Sequence, residues 1–124
     1  MALNVRVTES RSFSRTVHLG GRLTNETVGV LDAELEKIVS SSATLVVFDL
    51  AELDYISSVG LRSIFRTQKA MVARGGKALL VNPQPQIKKV LEIVNAADLS
   101  AVFSSVQELD RYLDTMQRKV VEGE

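Results

Sequence analysis

Apolar and polar residues alternate along two stretches near the start of the chain. In each stretch the apolar residues occupy every second position: Leu3, Val5 and Val7 in the first, and Val17 and Leu19 in the second. A period of two is typical of a half-buried strand. The polar residues 9–12 between the stretches predict an antiparallel hairpin, and Gly20-Gly21 is predicted to end its second strand.

Farther along the chain, apolar residues recur at helical spacing around two continuous apolar runs. The runs at residues 45–48 and 77–81 predict buried central strands, and residues 101–103 predict a further short strand. Four helices are predicted around these apolar positions: Val28, Leu31, Leu35, Ile38 and Val39; Leu61, Ile64, Phe65, Met71 and Val72; Ile87, Val90, Leu91 and Val94; Val106, Leu109, Leu113 and Met116. Thr24 or Asn25 is the predicted N-cap of the first helix.

The order of these elements predicts the fold class. Strands that alternate with helices are typical of parallel pairing through right-handed crossovers. We therefore predict an α/β fold, a mixed sheet with an N-terminal antiparallel hairpin followed by alternating parallel strands and helices. A chain of 124 residues has room for one hydrophobic core. We predict one domain over residues 1–120 and a flexible tail over residues 121–124.

Charge and cysteine content narrow the function. The 15 basic and 15 acidic side chains give a formal net charge of zero, which disfavours nucleic acid as the main partner, because phosphate binding needs a concentrated basic field. The absence of cysteine excludes disulfides and thiolate metal sites. The first residues lack the apolar core of a signal peptide, and no apolar run approaches the roughly 20 residues of a membrane span. We expect a cytoplasmic protein without direct nucleic-acid contact or membrane insertion.

Candidate functional residues gather in three loops that follow predicted strands: residues 20–25, 49–58 and 82–85. Such loops meet at the carboxyl ends of parallel strands. In the middle loop, Ser57 and Ser58 directly precede a predicted helix, whose first N–H groups and dipole favour an anion such as phosphate. Gly60 is expected either to leave the backbone open to a partner or only to permit tight packing. The competing interpretation is an N-cap serine, although neither serine has the Glu or Gln three residues on that completes a capping box.

Enzymatic and metal chemistry find little support in the sequence. A nucleophile elbow needs glycine two residues before its serine, but Ile56 stands there relative to Ser58. The sole histidine, His18, is predicted to lie mid-strand, so a serine hydrolase is rejected. Asp49 and Asp54 lack the further acidic pair that a divalent-ion site would need. Asp49 is expected to accept hydrogen bonds from loop N–H groups or to shape the surface near Ser58.

Glycines and arginines near the candidate site have their own interpretations. Gly20-Gly21 predicts a tight turn rather than a phosphate-binding loop, because two glycines without the wider pattern are a weak signal. Arg22 could read a phosphoserine or contact an acidic partner. Arg62 and Arg66, one helical turn apart, either flank the same face or belong to a solvated helix surface.

A family resemblance lies in residues 45–61, which read Leu-Val-Val-Phe-Asp-Leu-Ala-Glu-Leu-Asp-Tyr-Ile-Ser-Ser-Val-Gly-Leu. This segment resembles the central block of STAS domains, and more closely that of bacterial anti-sigma factor antagonists, also called anti-anti-sigma factors. The family block is a hydrophobic strand ending in Asp, a short loop, an aromatic residue, Asp or Ser, Ser, a small residue, Gly and Leu. Residues 21–24, 75–82 and 90–99 are similar to the family's first turn, a Gly-Gly-strand segment and its third helix.

The resemblance implies a non-enzymatic switch protein without a cofactor or metal. The family's phosphorylated serine, two residues before the glycine, corresponds to Ser58, with Ser57 as a second candidate. The implied kinase is a GHKL-type anti-sigma factor, which binds the unphosphorylated protein and is released on phosphorylation, and the implied phosphatase is of the PP2C type. The predicted partner-binding surface comprises Gly21, Arg22, Thr24, Asn25, Asp49, Tyr55, Ile56, Ser57, Ser58, Val59, Gly60, Leu61 and Arg62.

Two other functions stay open. STAS domains also serve as accessory subunits of ABC-type lipid or anion transport systems and then act without phosphorylation. Ser57 stands where many switch proteins have Asp, which gives this alternative room, and Thr24 stands where an acid is usual. A small-molecule enzyme that uses the loops at the strand ends is the third possibility, but nothing in the sequence nominates a substrate.

Overall fold

The computed structural model describes residues 2–96 and 105–123. Its first two strands, β1 (Leu3–Arg11) and β2 (Ser14–Leu23), form an antiparallel pair. Val5 lies opposite Leu19 and Val7 lies opposite Val17, so the alternating apolar residues of both strands share one face. The predicted hairpin is confirmed.

Gly20-Gly21 was predicted to end β2 in a tight turn. That prediction is wrong, because β2 continues to Leu23. Gly21 remains paired with the next strand, opposite Leu53, and has a φ of 93°. A side chain at this position would collide with the carbonyl oxygen of Ala2. Glycine therefore lets the strand bulge and continue at a point where another residue would be strained.

Two further strands complete a four-stranded sheet in the order β1-β2-β3-β4. β3 (Leu45–Ile56) runs parallel to β2, and β4 (Lys77–Val81) runs parallel to β3. The predicted mixed α/β sheet is confirmed. β3 was predicted to end at residue 48, which is wrong, because the extension of β2 provides pairing partners as far as Ile56. The predicted strand at residues 101–103 lies outside the described residues.

The described helices are α1 (Val28–Val39), α2 (Ser58–Ala73), α3 (Pro85–Ala96) and α4 (Val106–Val121). The N-cap of α1 is Thr27, so the prediction of Thr24 or Asn25 is wrong. The backbone N–H groups of Thr27 and Val28 both donate to the Thr24 carbonyl oxygen, at 3.2 and 2.9 Å, and form a turn ahead of the helix. None of the helices in the described ranges is long and apolar enough to cross a membrane.

One hydrophobic core lies between the sheet and the helices. Its fully buried side chains include Val17, Leu19, Phe48 and Leu50 from the strands, and Leu31, Ile64, Ile87 and Leu113 from the helices. Burying each such side chain stabilises the fold by about 1.5–3 kcal/mol. Helix α4 packs against α3 and α2, which places it beside the end of β3. The last helix therefore covers the region where the candidate serines lie.

Candidate functional site

Ser57 joins the end of β3 to the start of α2, and its polar groups are committed to that junction. Its backbone N–H donates to the carbonyl oxygen of Leu23 at 2.9 Å, which ties the junction to β2. Its hydroxyl accepts a hydrogen bond from the Gly60 N–H at 3.4 Å and caps α2. The residue is only 6% exposed. For Ser57, the N-cap interpretation of the sequence is confirmed.

Ser58 is the first residue of α2, and its hydroxyl does not cap the helix. Its Oγ atom is buried and makes no hydrogen bond within the described part of the chain. Its backbone N–H donates to Oδ1 of Asp110, on α4, at 2.9 Å. The Asp110 carboxylate therefore occupies the end of α2 where free N–H groups and the helix dipole favour an anion. The two serines have different roles although they are neighbours in sequence.

A polar contact from α4 also holds the last residue of β3. The Ile56 N–H donates to Oε1 of Gln117 at 2.9 Å, and Nε2 of Gln117 donates to the Ile56 carbonyl oxygen at 2.8 Å. Gln117 is 2% exposed, and its Nε2 atom also reaches the Leu113 carbonyl oxygen at 3.2 Å. One side-chain amide thus satisfies both backbone groups of a buried strand residue, where unpaired groups are costly.

Tyr55 adds a third point of contact with α4. Burial raises the pKa of Tyr55 to about 12, and the neighbouring Asp114 contributes to the rise by its charge and by hydrogen bonding. The phenol therefore stays protonated at neutral pH. The Arg22 guanidinium lies 4.0 Å from the centre of the Tyr55 ring, in the range of a cation–π contact. Arg22 is thus placed beside Tyr55 at the end of the β2–β3 pair.

The residues of α4 that contact the segment 55–58 lie on one face of the helix. They are Asp110, Asp114 and Gln117, which are three or four positions apart. We call this set the α4 contact face. Sequence reasoning marked only the apolar positions of the helix and missed the polar ones. The available signal was the spacing of Asp110, Asp114 and Gln117, which places three acceptor side chains in one row along the apolar stripe.

The two segments of the predicted partner-binding surface lie side by side. Register pairing of Arg22 with Tyr55 and of Leu23 with Ile56 brings residues 21–25 next to residues 55–58. Of the predicted residues, Asn25 and Arg62 are exposed, and six are partly exposed: Gly21, Arg22, Thr24, Tyr55, Ser58 and Val59. These residues form the accessible part of the surface.

Four of the predicted surface residues lie beneath it. Ile56 and Leu61 belong to the core, and Ser57 and Gly60 are buried. A Cβ atom at Gly60 would lie 2.5 Å from Cγ of Leu23, so the glycine permits close packing of α2 against β2. Of the two expectations for Gly60, tight packing is confirmed, and a backbone open to a partner is wrong, because Leu23 already fills that space.

Asp49 does not lie near Ser58. It is in the middle of β3, roughly 20 Å from Ile56 at about 3.3 Å per strand residue. Its carboxylate accepts hydrogen bonds from the Ala51 N–H at 3.1 Å and from Asn82 at 3.4 Å, and His18 Nδ1 lies 3.2 Å from its Oδ2 atom. Asp49 was expected to accept hydrogen bonds from loop N–H groups or to shape the surface near Ser58. It does accept a backbone N–H, but Ala51 belongs to β3 and not to a loop. The expectation that Asp49 shapes the surface near Ser58 is wrong.

The hydrogen bond from Ala51 is the main reason that the pKa of Asp49 lies below its usual value, and Asn82 and His18 lower the pKa further against the opposing effect of burial. Asp54 is exposed at the other side of the strand and lies 3.3 Å from Nε2 of Gln84. Within residues 2–96 and 105–123, no three His, Cys, Asp or Glu side chains are grouped to hold a metal ion.

A groove of about 820 Å³ runs beside α2, with Ser58 among its lining residues. Its apolar lining includes Leu61 and Phe65 from α2 and Leu109 from α4. The same part of α2 contributes three cations and no acidic side chain: Arg62, Arg66 and Lys69. Arg66 also forms an ion pair with Asp32 on α1 at 3.4 Å. A negative group added to Ser58 would therefore find Arg62 one helical turn away.

Comparisons with known proteins agree with this architecture. A curated protein of Bordetella bronchiseptica, "Putative anti-sigma factor antagonist BtrV", is 36% identical over 75 residues, or 60% of this chain. The chain spans 65% of that relative's length. The structure of the anti-sigma factor antagonist SpoIIAA in its unphosphorylated form has a TM-score of 0.68 at 18% identity and covers 74% of this chain and 81% of its own. The structure of the Bacillus cell fate determinant SpoIIAA in the phosphorylated form has a TM-score of 0.64 at 18% identity and covers 73% of this chain and 83% of its own.

The likeness to SpoIIAA is one of fold, and the sequence places the chain in a family. The STAS domain family model matches residues 4–109, which is most of the chain. The matched region includes all of the sheet except Leu3, and the segment 55–58 at the end of β3. The chain therefore belongs to the STAS domain family.

Proposed function

We propose that this chain is a cytoplasmic anti-sigma factor antagonist that acts as a serine-phosphorylated switch and has no catalytic activity. Unphosphorylated, it binds an anti-sigma factor that is also a serine kinase of the GHKL type. Phosphorylation of Ser58 releases that partner, and a PP2C-type phosphatase restores the binding form. The family membership and the name of the Bordetella relative support this choice within the functions of STAS domains.

Ser58 is proposed as the phosphorylated residue because its hydroxyl makes no hydrogen bond to the described residues, whereas the Ser57 hydroxyl caps α2. The Ser57 hydroxyl caps α2 and is buried, so a phosphate there would remove the cap and place a dianion in the core. The Ser58 hydroxyl makes no hydrogen bond to any described residue, so its modification breaks no existing hydrogen bond of that hydroxyl. A phosphate on Ser58 would also lie at the positive end of the α2 dipole, with Arg62 one turn away.

The mechanism that we propose is electrostatic. A phosphate adds about 1.5 to 2 negative charges at neutral pH to residues 55–61, which carry no charged side chain of their own. A partner that buries the neutral serine would have to desolvate or repel that charge. Since about 1.4 kcal/mol changes an affinity tenfold, one phosphate in the centre of an interface is sufficient to decide binding.

Affinity capture with a matched set of variants tests this proposal. The native protein, Ser58→Ala and Ser58→Glu are used as baits in extracts of the native cells, and bound proteins are identified by mass spectrometry. We expect a GHKL-type ATPase to bind the native protein and Ser58→Ala and to be depleted at least tenfold on Ser58→Glu. Ser12→Glu, at an exposed residue in the β1–β2 turn, is the control for added charge.

Two results would contradict the proposal. Capture of an ABC-type transport ATPase by all baits alike would favour the accessory-subunit function, which does not use phosphorylation. Equal capture of a GHKL-type ATPase by Ser58→Ala and Ser58→Glu would leave the partner but remove the switch.

A further inference from the structure

Helix α4 covers the serine that the proposed switch would modify. The Ser58 Oγ atom is buried, and Leu109 from α4 lines the same groove as Ser58. Asp110 accepts the Ser58 N–H at 2.9 Å, and Gln117 holds both backbone groups of Ile56. The α4 contact face is thus seated on the segment 55–58 by the hydrogen bonds of Asp110 at one end and of Gln117 at the other.

A phosphate on Ser58 is incompatible with this seating. The phosphate would be attached to a buried oxygen atom, on a residue whose backbone N–H is already bonded to the Asp110 carboxylate. Two anions at close range in a partly buried site repel each other. The phosphate competes with Asp110 for the Ser58 N–H, since both are acceptors at the same end of α2.

We propose that α4 is an intramolecular latch, closed over residues 55–58 by Asp110 and Gln117, which a phosphate on Ser58 opens by displacing Asp110. The latch rests on the proposed function in one respect, because phosphorylation of Ser58 is its opening signal. When the latch opens, the α4 contact face leaves residues 55–58, and the modified serine and Ile56 become accessible. Phosphorylation then changes the shape of the partner surface as well as its charge.

The latch assigns separate roles to Asp110 and Gln117. Asp110 senses charge, because its carboxylate is the anion nearest to the Ser58 backbone N–H. Gln117 is neutral and strengthens closure without responding to charge. Replacement of Asp110 by Asn keeps an oxygen acceptor for the Ser58 N–H and removes the negative charge. Asp110→Asn should therefore close normally but fail to open fully.

Hydrogen exchange on the full chain tests the latch without any kinase. Phosphoserine is installed at position 58 during translation, and amide exchange is measured by mass spectrometry for peptides from α4 and from the β2–β3 pair. We expect exchange in α4 to accelerate at least tenfold, with little change in β2 and β3. Phosphoserine at position 12, an exposed residue in the β1–β2 turn, should leave α4 protected. Asp110→Asn should restore most of the lost protection in the protein with phosphoserine at position 58.

Unchanged protection of α4 with phosphoserine at position 58 would overturn the latch, as would the same acceleration with phosphoserine at position 12. Acceleration that Asp110→Asn leaves undiminished would overturn the role of Asp110. If the phosphoserine protein exchanges faster along the whole chain, the variants Ser58→Asp and Ser58→Asn are compared instead, since they differ by one negative charge. Faster exchange of α4 in Ser58→Asp than in Ser58→Asn supports the latch, and equal exchange in the two variants contradicts it. Since the phosphate is installed, none of these results depends on whether native cells phosphorylate Ser58, which tests the proposed function separately.

Discussion

Strand β3 carries polar groups at two places whose surroundings differ. In mid-strand, Asp49 is paired with His18 on the adjacent strand, and His18 in turn lies 3.3 Å from Oγ1 of Thr8 on β1. At the end of the strand, the partners of Ile56 and Ser58 come from α4, 61 and 52 residues away in sequence. The Asp49–His18 pair is partly exposed, whereas the hydrogen bonds between Ile56 and α4 are buried and the one from Ser58 to α4 is partly buried.

The hydrogen bonds around Asp49 connect residues that lie in the strands of the sheet or directly after them, whereas those of Ile56 and Ser58 connect β3 and α2 to the distant helix α4. Around Asp49, water can replace a lost partner, so substitutions should cost little. At Ile56 the backbone groups are sealed from water, so a lost partner leaves them unpaired. The end of β3 is therefore the place where changes in α4 and changes at the serines should affect each other. The following substitutions test that difference, from the largest expected effect to the smallest.

Gln117→Met should have the largest effect on stability. It keeps the approximate volume of the side chain but leaves the Ile56 N–H and carbonyl groups without partners in a buried site, at a cost of about 2–4 kcal/mol in the free energy of unfolding. Urea denaturation measures the change. Gln107→Met, at an exposed position of the same helix, is the matched control and should be nearly neutral. A similar small effect for both variants would refute the importance assigned to Gln117.

Gly60→Ala should destabilise the protein by about 1–3 kcal/mol, because its Cβ atom would overlap the Leu23 side chain beneath the N-terminus of α2. Gly29→Ala provides the control in α1, since no described atom lies within 4 Å of a Cβ atom added there. That substitution should stabilise by about 0.5–1 kcal/mol through helix propensity. Thermal unfolding of both variants measures the contrast, and the same sign for both would contradict the packing described for Gly60.

The two serines should differ in their effect on stability. Ser57→Ala removes the N-cap of α2 and should cost about 1 kcal/mol. Ser58→Ala removes a buried hydroxyl that makes no hydrogen bond to the described residues, so stability should stay equal or rise slightly. Parallel urea denaturation curves decide between them. A larger loss for Ser58→Ala than for Ser57→Ala would reverse the roles assigned to the two hydroxyls.

Asp49→Asn should cause the smallest of the predicted losses of stability, about 0.5 kcal/mol at neutral pH, as is usual for a partly exposed polar pair. The pKa of Asp49 is lower in the folded protein than its usual value, so the unfolded chain binds the proton more readily. Its contribution to stability is therefore complete above the usual Asp pKa and is lost as pH falls through the lowered one. Unfolding curves from pH 6 to pH 2 should show a shallower acid loss for Asp49→Asn, and an identical loss would contradict this.

The sequence predicted those parts of the molecule that depend on short-range patterns. Alternation in β1 and β2 and the apolar runs in β3 and β4 were sufficient for the mixed sheet. The predicted ends of β2 and β3 were wrong, because pairing between these two strands extends both beyond the points at which the local sequence suggests that they stop. Gly20-Gly21 looked like a turn, but a bulge carries β2 through it, and β3 follows β2 to Ile56.

The candidate site was predictable in part for the same reason. The position of Ser57 and Ser58 before a helix follows from local sequence, as does the choice of an N-cap serine. Which of the two hydroxyls caps the helix depends on backbone geometry at the junction. The contacts of Asp110 and Gln117 depend on how α4 packs, and no pattern within α4 specifies which backbone groups its polar side chains will meet.

Phosphopeptide mapping of the protein purified from its native cells tests the central claim most directly. The peptide that contains both serines is fragmented to assign the site, for the native protein and for Ser57→Ala and Ser58→Ala. We expect phosphate on Ser58 in the native protein and in Ser57→Ala, and none in Ser58→Ala. Phosphate on Ser57, or on neither serine under any growth condition, would contradict the claim that Ser58 is the switch residue.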